Sequence, residues 1–159
     1  MDYPQFKYHP NAYKLDLFEK EDGICSICNQ QRDLKYVCSF YSVDEPDYIC
    51  PWCNANGAAA QKYDGEYNDY CGIEGISSNP NVPSEKINPE FLDEICLKTP
   101  SYHSWQQEVW LVHCNEPCQF IAYADSEMLK PIWDEVKADI EENGYPVELI
   151  QDHLSIDGD

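Results

Sequence analysis

Positive charge is scarce in this sequence. Arg32 is the single arginine, and ten lysines and arginines together stand against thirty aspartates and glutamates, which gives a net charge of −20. Contacts to phosphate groups need cations, so the composition argues against nucleic acid and against anionic membrane surfaces as partners. What it favours is either a solvated acidic surface or a surface complementary to a basic protein.

Long apolar runs and targeting signals are also lacking. No stretch is long enough to predict a membrane span, and the sequence opens on Met1-Asp2-Tyr3-Pro4 without a signal peptide. Nine cysteines, an odd number, argue in this context for a reducing compartment. We therefore expect a cytoplasmic protein.

Catalytic motifs are lacking as well. The sequence has no phosphate-binding loop, no HExxH, no GxSxG and no dinucleotide fingerprint. His103 and Glu108 could act as a base and its orienter, but nothing in the sequence places a nucleophile beside His103. Cys38 falls in a predicted strand and is interpreted as a small core residue. We predict that the protein is not an enzyme.

The strongest positive signal is a pair of CxxC motifs. One runs from Cys25 to Cys28 and the other from Cys50 to Cys53. Each motif places two thiolates on one side of a tight turn, and two such turns complete a tetrahedral shell of four sulfurs. A complete shell leaves no open position for a substrate. The motifs therefore predict a structural zinc, which lets a short segment fold that could not bury enough core alone.

The second motif also permits a redox interpretation. Cys50–Cys53 precedes the alanine-rich segment 57–60, so it resembles a redox motif at the start of a helix. A thiol–disulfide oxidoreductase would need an exposed Cys50 and would not need the first motif. We favour zinc, because redox motifs usually stand alone, and because zinc is the commoner metal of four-cysteine knuckles.

A candidate second metal site involves Cys114 and Cys118, whose C-x3-C spacing can supply two ligands. Two further ligands would be required, and none stands in a recognisable spacing. Burial of both thiols in the core is the favoured interpretation. The candidates for the missing ligands are Cys71, Cys96, His103 and His153.

The predicted fold class is α+β, with a small zinc-knuckle or ribbon-like segment packed with a β-hairpin and two or three helices. We expect one compact unit made of an extended segment plus zinc knuckle over 1–70, a loop or linker over 71–87 and a helix–hairpin–helix lobe over 88–159. The predicted strands are 35–43, 108–114 and 119–124, and the predicted helices are 57–70, one that starts at Asn88-Pro89-Glu90, and one within 126–143.

Several blocks resemble the CbrC family of bacteria, namely "FKYHPNA" at 6–12, the paired "CSIC", "CPWCNANGAAAQKYDGEYND" at 50–69 and "TPSYHSWQQEVWLVHCNEPCQF" at 99–120. The resemblance implies a small cytoplasmic zinc-binding protein of the immunity or toxin-tolerance type, since that family is named for tolerance of a nuclease colicin. It also implies that the cysteines of the two CxxC motifs, together with Cys114 and Cys118, match the family's cysteines. That family continues into a further CxxC near the C-terminus, which would complete a second site. This sequence ends at Asp159 without it, so we expect either truncation there or loss of the second site.

The leading functional hypothesis is an immunity protein that binds and neutralises a basic toxin. A nuclease is the favoured toxin, because nuclease active sites carry cations that an acidic inhibitor can occupy. The alternatives are a thiol–disulfide oxidoreductase that uses Cys50 and Cys53, and a zinc-stabilised adaptor with another partner. The predicted toxin-binding residues, which could equally form a solvated helix face, are Asp134, Glu135, Asp139, Glu141 and Glu142.

Overall fold

The computed structural model of this protein describes residues 2–76, 87–104, 108–142 and 144–154, with the backbone alone for 153 and 154. Contacts group the chain into two units, Met1–Ile121 and Ala122–Asp159. The predicted linker at 71–87 falls largely on 77–86, outside the described residues, so that boundary stays a prediction.

The first unit opens with an antiparallel hairpin of β1, Phe18–Ile24, and β2, Gln31–Tyr36. Burial alternates toward the end of β2, where Leu34 and Tyr36 are buried, whereas β1 is buried at Phe18 and mostly exposed beyond it. The register pairs Phe18 with Tyr36, and a bulge interrupts it between Lys20 and Gly23. The buried face of the hairpin joins a core made of Phe6, Ala12, Leu17, Phe18, Leu34, Tyr36, Ile49, Ala59 and Tyr67.

The described part of the first unit also contains three α-helices. They are α1, Pro51–Ala55; α2, Ala58–Tyr63; and α3, Pro89–Lys98. The predicted start of α3 is confirmed, because the Asn88 side chain accepts a hydrogen bond from the Glu90 backbone N–H at 3.0 Å. α3 packs into a second core made of Tyr8, Ile73, Ile87, Leu92, Ile95, Cys96 and Trp110.

Asn68 ties the end of α3 to Trp110. Its buried amide Nδ2 donates to the carbonyl oxygens of Ile95 at 2.8 Å and Thr99 at 2.9 Å. Its Oδ1 accepts from the Trp110 indole N–H at 3.0 Å. Every donor and acceptor of the amide group therefore serves a contact between segments far apart in the sequence.

The second hairpin of this unit is much shorter than predicted. β3 is Val112–His113 and β4 is Glu116–Pro117, joined through Cys114 and Asn115, which both have positive φ. Two left-handed residues make a tight two-residue turn, so the strands meet earlier than the predicted spans 108–114 and 119–124 allow. Upstream, the backbone of Trp110 pairs in parallel with Ile73, which removes it from the hairpin.

The strand predicted over 35–43 is wrong beyond its first two residues, because the observed strand β2 spans Gln31–Tyr36. β2 ends at Tyr36, whose N–H donates to the Ile49 carbonyl at 2.9 Å. Cys38 lies beyond the strand and is half-buried, so it is not the interior strand residue that was predicted.

The second unit consists of α4, Ser126–Leu129; α5, Trp133–Glu142; and α6, Val147–Leu154. Pro131 lies in a 3-10 turn between α4 and α5, and the helix predicted within 126–143 is found as α5, which begins two residues after Pro131. α6 was not predicted. Trp133 and Val147 are buried at the centre of a small apolar cluster that includes Val136, Ile140 and Ile150.

These elements confirm the α+β class, with two small antiparallel hairpins, several helices and the cysteine-rich knuckle. Among the helices that the structure describes, none combines the length and the apolarity needed to cross a membrane.

His9 gives the first unit an expected pH dependence. It is 0 % exposed, its Nδ1 lies 3.0 Å from the Pro100 carbonyl oxygen, and burial lowers its pKa although that hydrogen bond opposes the shift. An unfolded histidine has a pKa of about 6.5, so the unfolded chain takes up a proton first as the pH falls. The free energy of unfolding should therefore be steady above about pH 6.5 and fall by up to about 1.4 kcal/mol per pH unit below it.

Urea unfolding between about pH 7.5 and about pH 5.5 measures this slope in a range where most carboxylates stay ionised. His9→Gln should lower stability at neutral pH and remove the histidine contribution to the slope. His113→Gln, which changes an exposed histidine, should leave the slope as in the parent. An unchanged slope in His9→Gln would show that another group is responsible.

Candidate metal centre

The first cysteine pair lies in the turn between β1 and β2. The Cys25 N–H donates to the Gln30 carbonyl at 3.0 Å and so extends the hairpin ladder, and the Asn29 N–H donates to the Cys25 carbonyl at 2.9 Å. Asn29 has a φ of 55°, a left-handed conformation that asparagine tolerates well. The resulting turn is tight enough to bring the Cys25 and Cys28 sulfurs to the same side.

The second cysteine pair begins α1. Cys50 is the N-cap residue, with an extended backbone at φ −86° and ψ 157°, and Pro51 occupies the first turn of the helix. The Asn54 N–H donates to the Cys50 carbonyl at 3.1 Å. Residues three apart in a helix lie on one face, so Cys50 and Cys53 point the same way.

Tyr48 links the two pairs. Its backbone exchanges two hydrogen bonds with Ser26, from the Ser26 N–H to the Tyr48 carbonyl at 2.9 Å and from the Tyr48 N–H to Ser26 Oγ at 3.0 Å. The Tyr48 hydroxyl donates to the Glu21 carbonyl at 2.6 Å. A Cβ on Gly23 would lie 2.6 Å from the Tyr48 ring, so this packing requires glycine there.

The two turns bring four cysteine sulfurs together. The Sγ atoms of Cys25, Cys28, Cys50 and Cys53 all lie within 4.8 Å of one another. A tetrahedral zinc with Zn–S bonds of about 2.3 Å places its sulfurs about 3.8 Å apart, so small side-chain adjustments suffice to close the shell. Cys50 is 0 % exposed and Cys53 is 3 % exposed, while Cys28 is half-buried.

The pKa shifts of the clustered thiols show that the four sulfurs need a positive charge among them before all of them can ionise. Hydrogen bonds from the Cys50 and Cys53 thiols lower the pKa of Cys25, which makes its sulfur the preferred thiolate. The hydrogen bond to Cys25 raises the pKa of Cys50 and of Cys53, and burial adds to the rise. Four thiolates so close together, three of them buried, therefore require a compensating cation among them.

Arg32, the single arginine, lies at the edge of the cluster. Its guanidinium carbon is 4.4 Å from the centroid of the Trp52 ring, a cation–π arrangement. Trp52 packs against the four-cysteine cluster, and its ring also contacts Tyr3 at a centroid distance of 5.5 Å. Arg32 and Trp52 thus lie next to each other beside the cluster.

The candidate second site looks different. Cys114 and Cys118 are both exposed, because the short β3–β4 hairpin holds them at the surface. The favoured interpretation, that both thiols are buried in the core, is therefore wrong. Within the described residues, no other histidine, cysteine or carboxylate joins them to make a group of three. A metal at this pair stays a prediction.

The predicted toxin-binding acids are all on α5 and all exposed: Asp134, Glu135, Asp139, Glu141 and Glu142. They lie in a unit that holds eleven carboxylates and only two lysines between 122 and 159. A strongly negative surface on this helix is thus a property of the structure.

One contact between two reactive side chains, Cys38 and His103, was not predicted from the sequence. The Sγ atom of Cys38 and the Nε2 atom of His103 lie 3.4 Å apart. The two residues are 65 positions apart in the sequence, and no local motif signals their pairing. Only the unusual density of polar and aromatic residues around His103 marked the segment.

A small α+β protein with four cysteine sulfurs gathered in one cluster belongs to the class of cysteine-rich proteins whose site is compatible with metal binding. The chain belongs to UPF0167, described as an uncharacterised protein family, whose sequence pattern matches residues 3–155. The predicted membership of the CbrC family is therefore wrong, and the implications drawn from it lose their support.

The relatives fall in the same family. UPF0167 protein PA1536 of Pseudomonas aeruginosa is 34% identical over 126 residues, which are 78% of this chain and 65% of that protein. UPF0167 protein Mb2317 of Mycobacterium bovis and UPF0167 protein MT2352 of Mycobacterium tuberculosis are each 31% identical over 119 residues, 74% of this chain and 59% of theirs. The chain thus spans less than two thirds of the length of these relatives. No solved structure matches it.

Proposed function

We propose that Cys25, Cys28, Cys50 and Cys53 hold one zinc ion whose role is to stabilise the fold. The observation that carries the proposal is the closed set of four sulfurs, within 4.8 Å of one another and mostly buried. A closed set offers no position for a substrate, which favours a structural over a catalytic ion. The ion would supply the positive charge that allows the four thiols to ionise together inside the protein.

Burial also weighs against the oxidoreductase alternative. Thiol–disulfide exchange requires access of a partner to the attacking sulfur, and Cys50, the first cysteine of the CPWC motif, is 0 % exposed. A cluster of four thiols from two separate turns supports a metal-binding role better than a two-cysteine redox cycle.

Elemental analysis tests the site directly. Protein purified without added metal is expected to contain about one zinc per chain, as a closed four-cysteine site holds one ion. The control is Cys71→Ser, which changes an exposed cysteine and should keep the full zinc content. Iron in place of zinc would change the metal but keep the site, whereas a metal-free protein with disulfides between these cysteines would favour the redox alternative.

For the function of the whole protein, we propose a non-catalytic binding protein that recognises a basic protein partner, with a basic toxin such as a nuclease as the predicted class. The proposal is supported by the net charge of −20 and by the exposed acids of α5. Complementary charge accelerates encounter and selects partners of opposite sign. An adaptor with a basic partner of another kind would use the same surface.

Salt dependence provides the test of this surface. Electrostatic attraction is screened beyond about 8 Å at physiological salt, so association with a basic nuclease encoded beside the gene should slow several-fold between low and physiological salt. Dissociation should change less. Surface plasmon resonance at two salt concentrations measures both rates, and co-expression measures protection of the cell.

Two triple variants separate the α5 surface from general charge. Glu135→Gln/Glu141→Gln/Glu142→Gln removes three charges from α5, and Asp22→Asn/Asp44→Asn/Asp47→Asn removes three exposed charges elsewhere. The α5 variant should slow association much more than the control variant. Equal effects would assign the attraction to net charge alone, and no complex at low salt would remove the toxin-binding proposal while leaving the zinc site intact.

A further inference from the structure

The Cys38 thiol and the His103 imidazole form a pair that no part of the four-cysteine cluster uses. Their Sγ and Nε2 atoms are 3.4 Å apart, within the range of a hydrogen bond to sulfur. Cys38 is half-buried and His103 is exposed, so the pair is reachable from solvent. A thiol beside an imidazole is the minimal arrangement of an activated cysteine nucleophile.

Tyr36 holds both partners in place. Its hydroxyl donates to the Ser39 carbonyl at 2.9 Å, next to Cys38, and accepts from the Ser101 N–H at 3.1 Å, two residues before His103. Ser101 is itself fixed, because its Oγ donates to the buried Glu108 carboxylate at 3.0 Å. Hydrogen bonds from a buried core residue therefore set the geometry of the pair.

A cavity of about 410 Å³ adjoins the thiol. This volume falls in the range of small-molecule sites, about 300–1,000 Å³. Its walls combine aromatic and apolar groups with about as much polar surface, including one carboxylate. The lining residues besides Cys38 are Tyr36, Ser39, Phe40, Tyr41, Glu45, Pro46 and Ile49.

We propose that Cys38 and His103 form a nucleophilic site that adds the Cys38 thiol to small uncharged α,β-unsaturated carbonyl compounds. The negative charges around the thiol disfavour an anionic ligand, since Glu45 lines the cavity and Glu108 and Glu19 act electrostatically on Cys38. An addition needs no leaving group and no oxidant, so one thiol and one proton-carrying imidazole are sufficient.

The addition needs no atoms or electrons beyond those of Cys38, His103 and the ligand. The Cys38 sulfur forms a bond to the β-carbon while His103 Nε2 accepts the thiol proton. The electron pair of the carbon–carbon double bond moves onto the α-carbon and carbonyl as an enolate, and His103 returns the proton to the α-carbon. The net result is addition of S–H across the double bond, with a covalent thioether on Cys38.

The base is needed because the isolated thiol would be unreactive. Burial, followed by the charges of Glu108 and Glu19, raises the pKa of Cys38 to about 12. Tyr36 and His103 are the other titratable groups that face it from the elements packed against it. Without assistance, Cys38 should therefore react more slowly than the exposed Cys71, and with assistance it should react faster.

Acrylamide, a small neutral α,β-unsaturated amide, is the probe. Peptide mass spectrometry follows its addition to each cysteine of the folded, metal-loaded protein, with the exposed Cys71 as internal reference. Near pH 7 we expect Cys38 to react at least about 10-fold faster than Cys71, because general-base assistance typically contributes 10²–10⁴-fold.

The matched variants are His103→Gln and His113→Gln, both at exposed histidines. His103→Gln should slow addition at Cys38 by about 100-fold without changing Cys71, and His113→Gln should change neither. Thermal unfolding checks that the variants are folded, and the ratio of the Cys38 rate to the Cys71 rate in the parent protein decides the matter if they are not. A Cys38 in the parent that reacts no faster than Cys71 would overturn the proposal.

Discussion

Replacing Cys50 by serine is expected to abolish metal binding and to unfold the first unit. Cys50 is fully buried, caps α1 and contributes one of the four clustered sulfurs. Structural zinc in small sites contributes about 10–16 kcal/mol of apparent binding free energy, comparable to the entire stability of a domain, about 5–15 kcal/mol. Circular dichroism and thermal unfolding should show loss of the cooperative transition of the first unit, and elemental analysis should show loss of metal.

Cys71→Ser is the matched control, because it makes the same chemical change at an exposed cysteine in a 3-10 turn of the same unit. Its unfolding midpoint should stay close to that of the parent. Addition of a strong chelator to the parent protein should reproduce the Cys50→Ser result without any mutation. A Cys50→Ser protein as stable as the parent would mean that the site does not support the fold.

Replacing Asn68 by alanine is expected to cost about 3–5 kcal/mol of stability, since a buried group left without a hydrogen-bond partner costs about 1–3 kcal/mol. The substitution leaves two buried carbonyls, of Ile95 and Thr99, and the Trp110 indole N–H without their present partner. For a chain of this size such a loss corresponds to a fall of roughly 10 °C in the unfolding midpoint. Urea and thermal unfolding measure both quantities.

Gln61→Ala is the control for Asn68→Ala, because it removes a side-chain amide from an exposed position on α2. Surface changes of this kind usually stay within about 0.5 kcal/mol of the parent. A cost for Asn68→Ala no larger than that of the control would mean that water replaces the lost amide, and that the hydrogen bonds to α3 contribute little to stability.

Local signals in the sequence were sufficient to predict part of this structure. The CxxC motifs fix two thiols within four residues each, so the four-cysteine cluster follows once the two turns meet. The start of α3 was predictable for the same reason, because the cap, the proline and the first acid are neighbours. The α+β class follows from elements of this local kind.

Long-range pairings were not predictable in this way. The Cys38–His103 contact and the Asn68 hydrogen bonds join segments 27 to 65 residues apart, and each depends on packing that no single segment encodes. The predicted strands around 108–124 were too long for a related reason. Trp110 pairs with Ile73 instead of its sequence neighbours, and only tertiary structure decides between two such partners.

Arg32 and Trp52, which lie beside the four-cysteine cluster, bear on how quickly an ion held there would be exchanged. Equilibrium affinity depends on all four sulfurs, but a competing ligand must first reach one of them, and Cys28 is the least buried. If the four sulfurs hold an ion as proposed, we expect these two side chains to slow that approach from their side of the cluster. The single arginine of this acidic chain would then affect the rate of exchange without being a ligand.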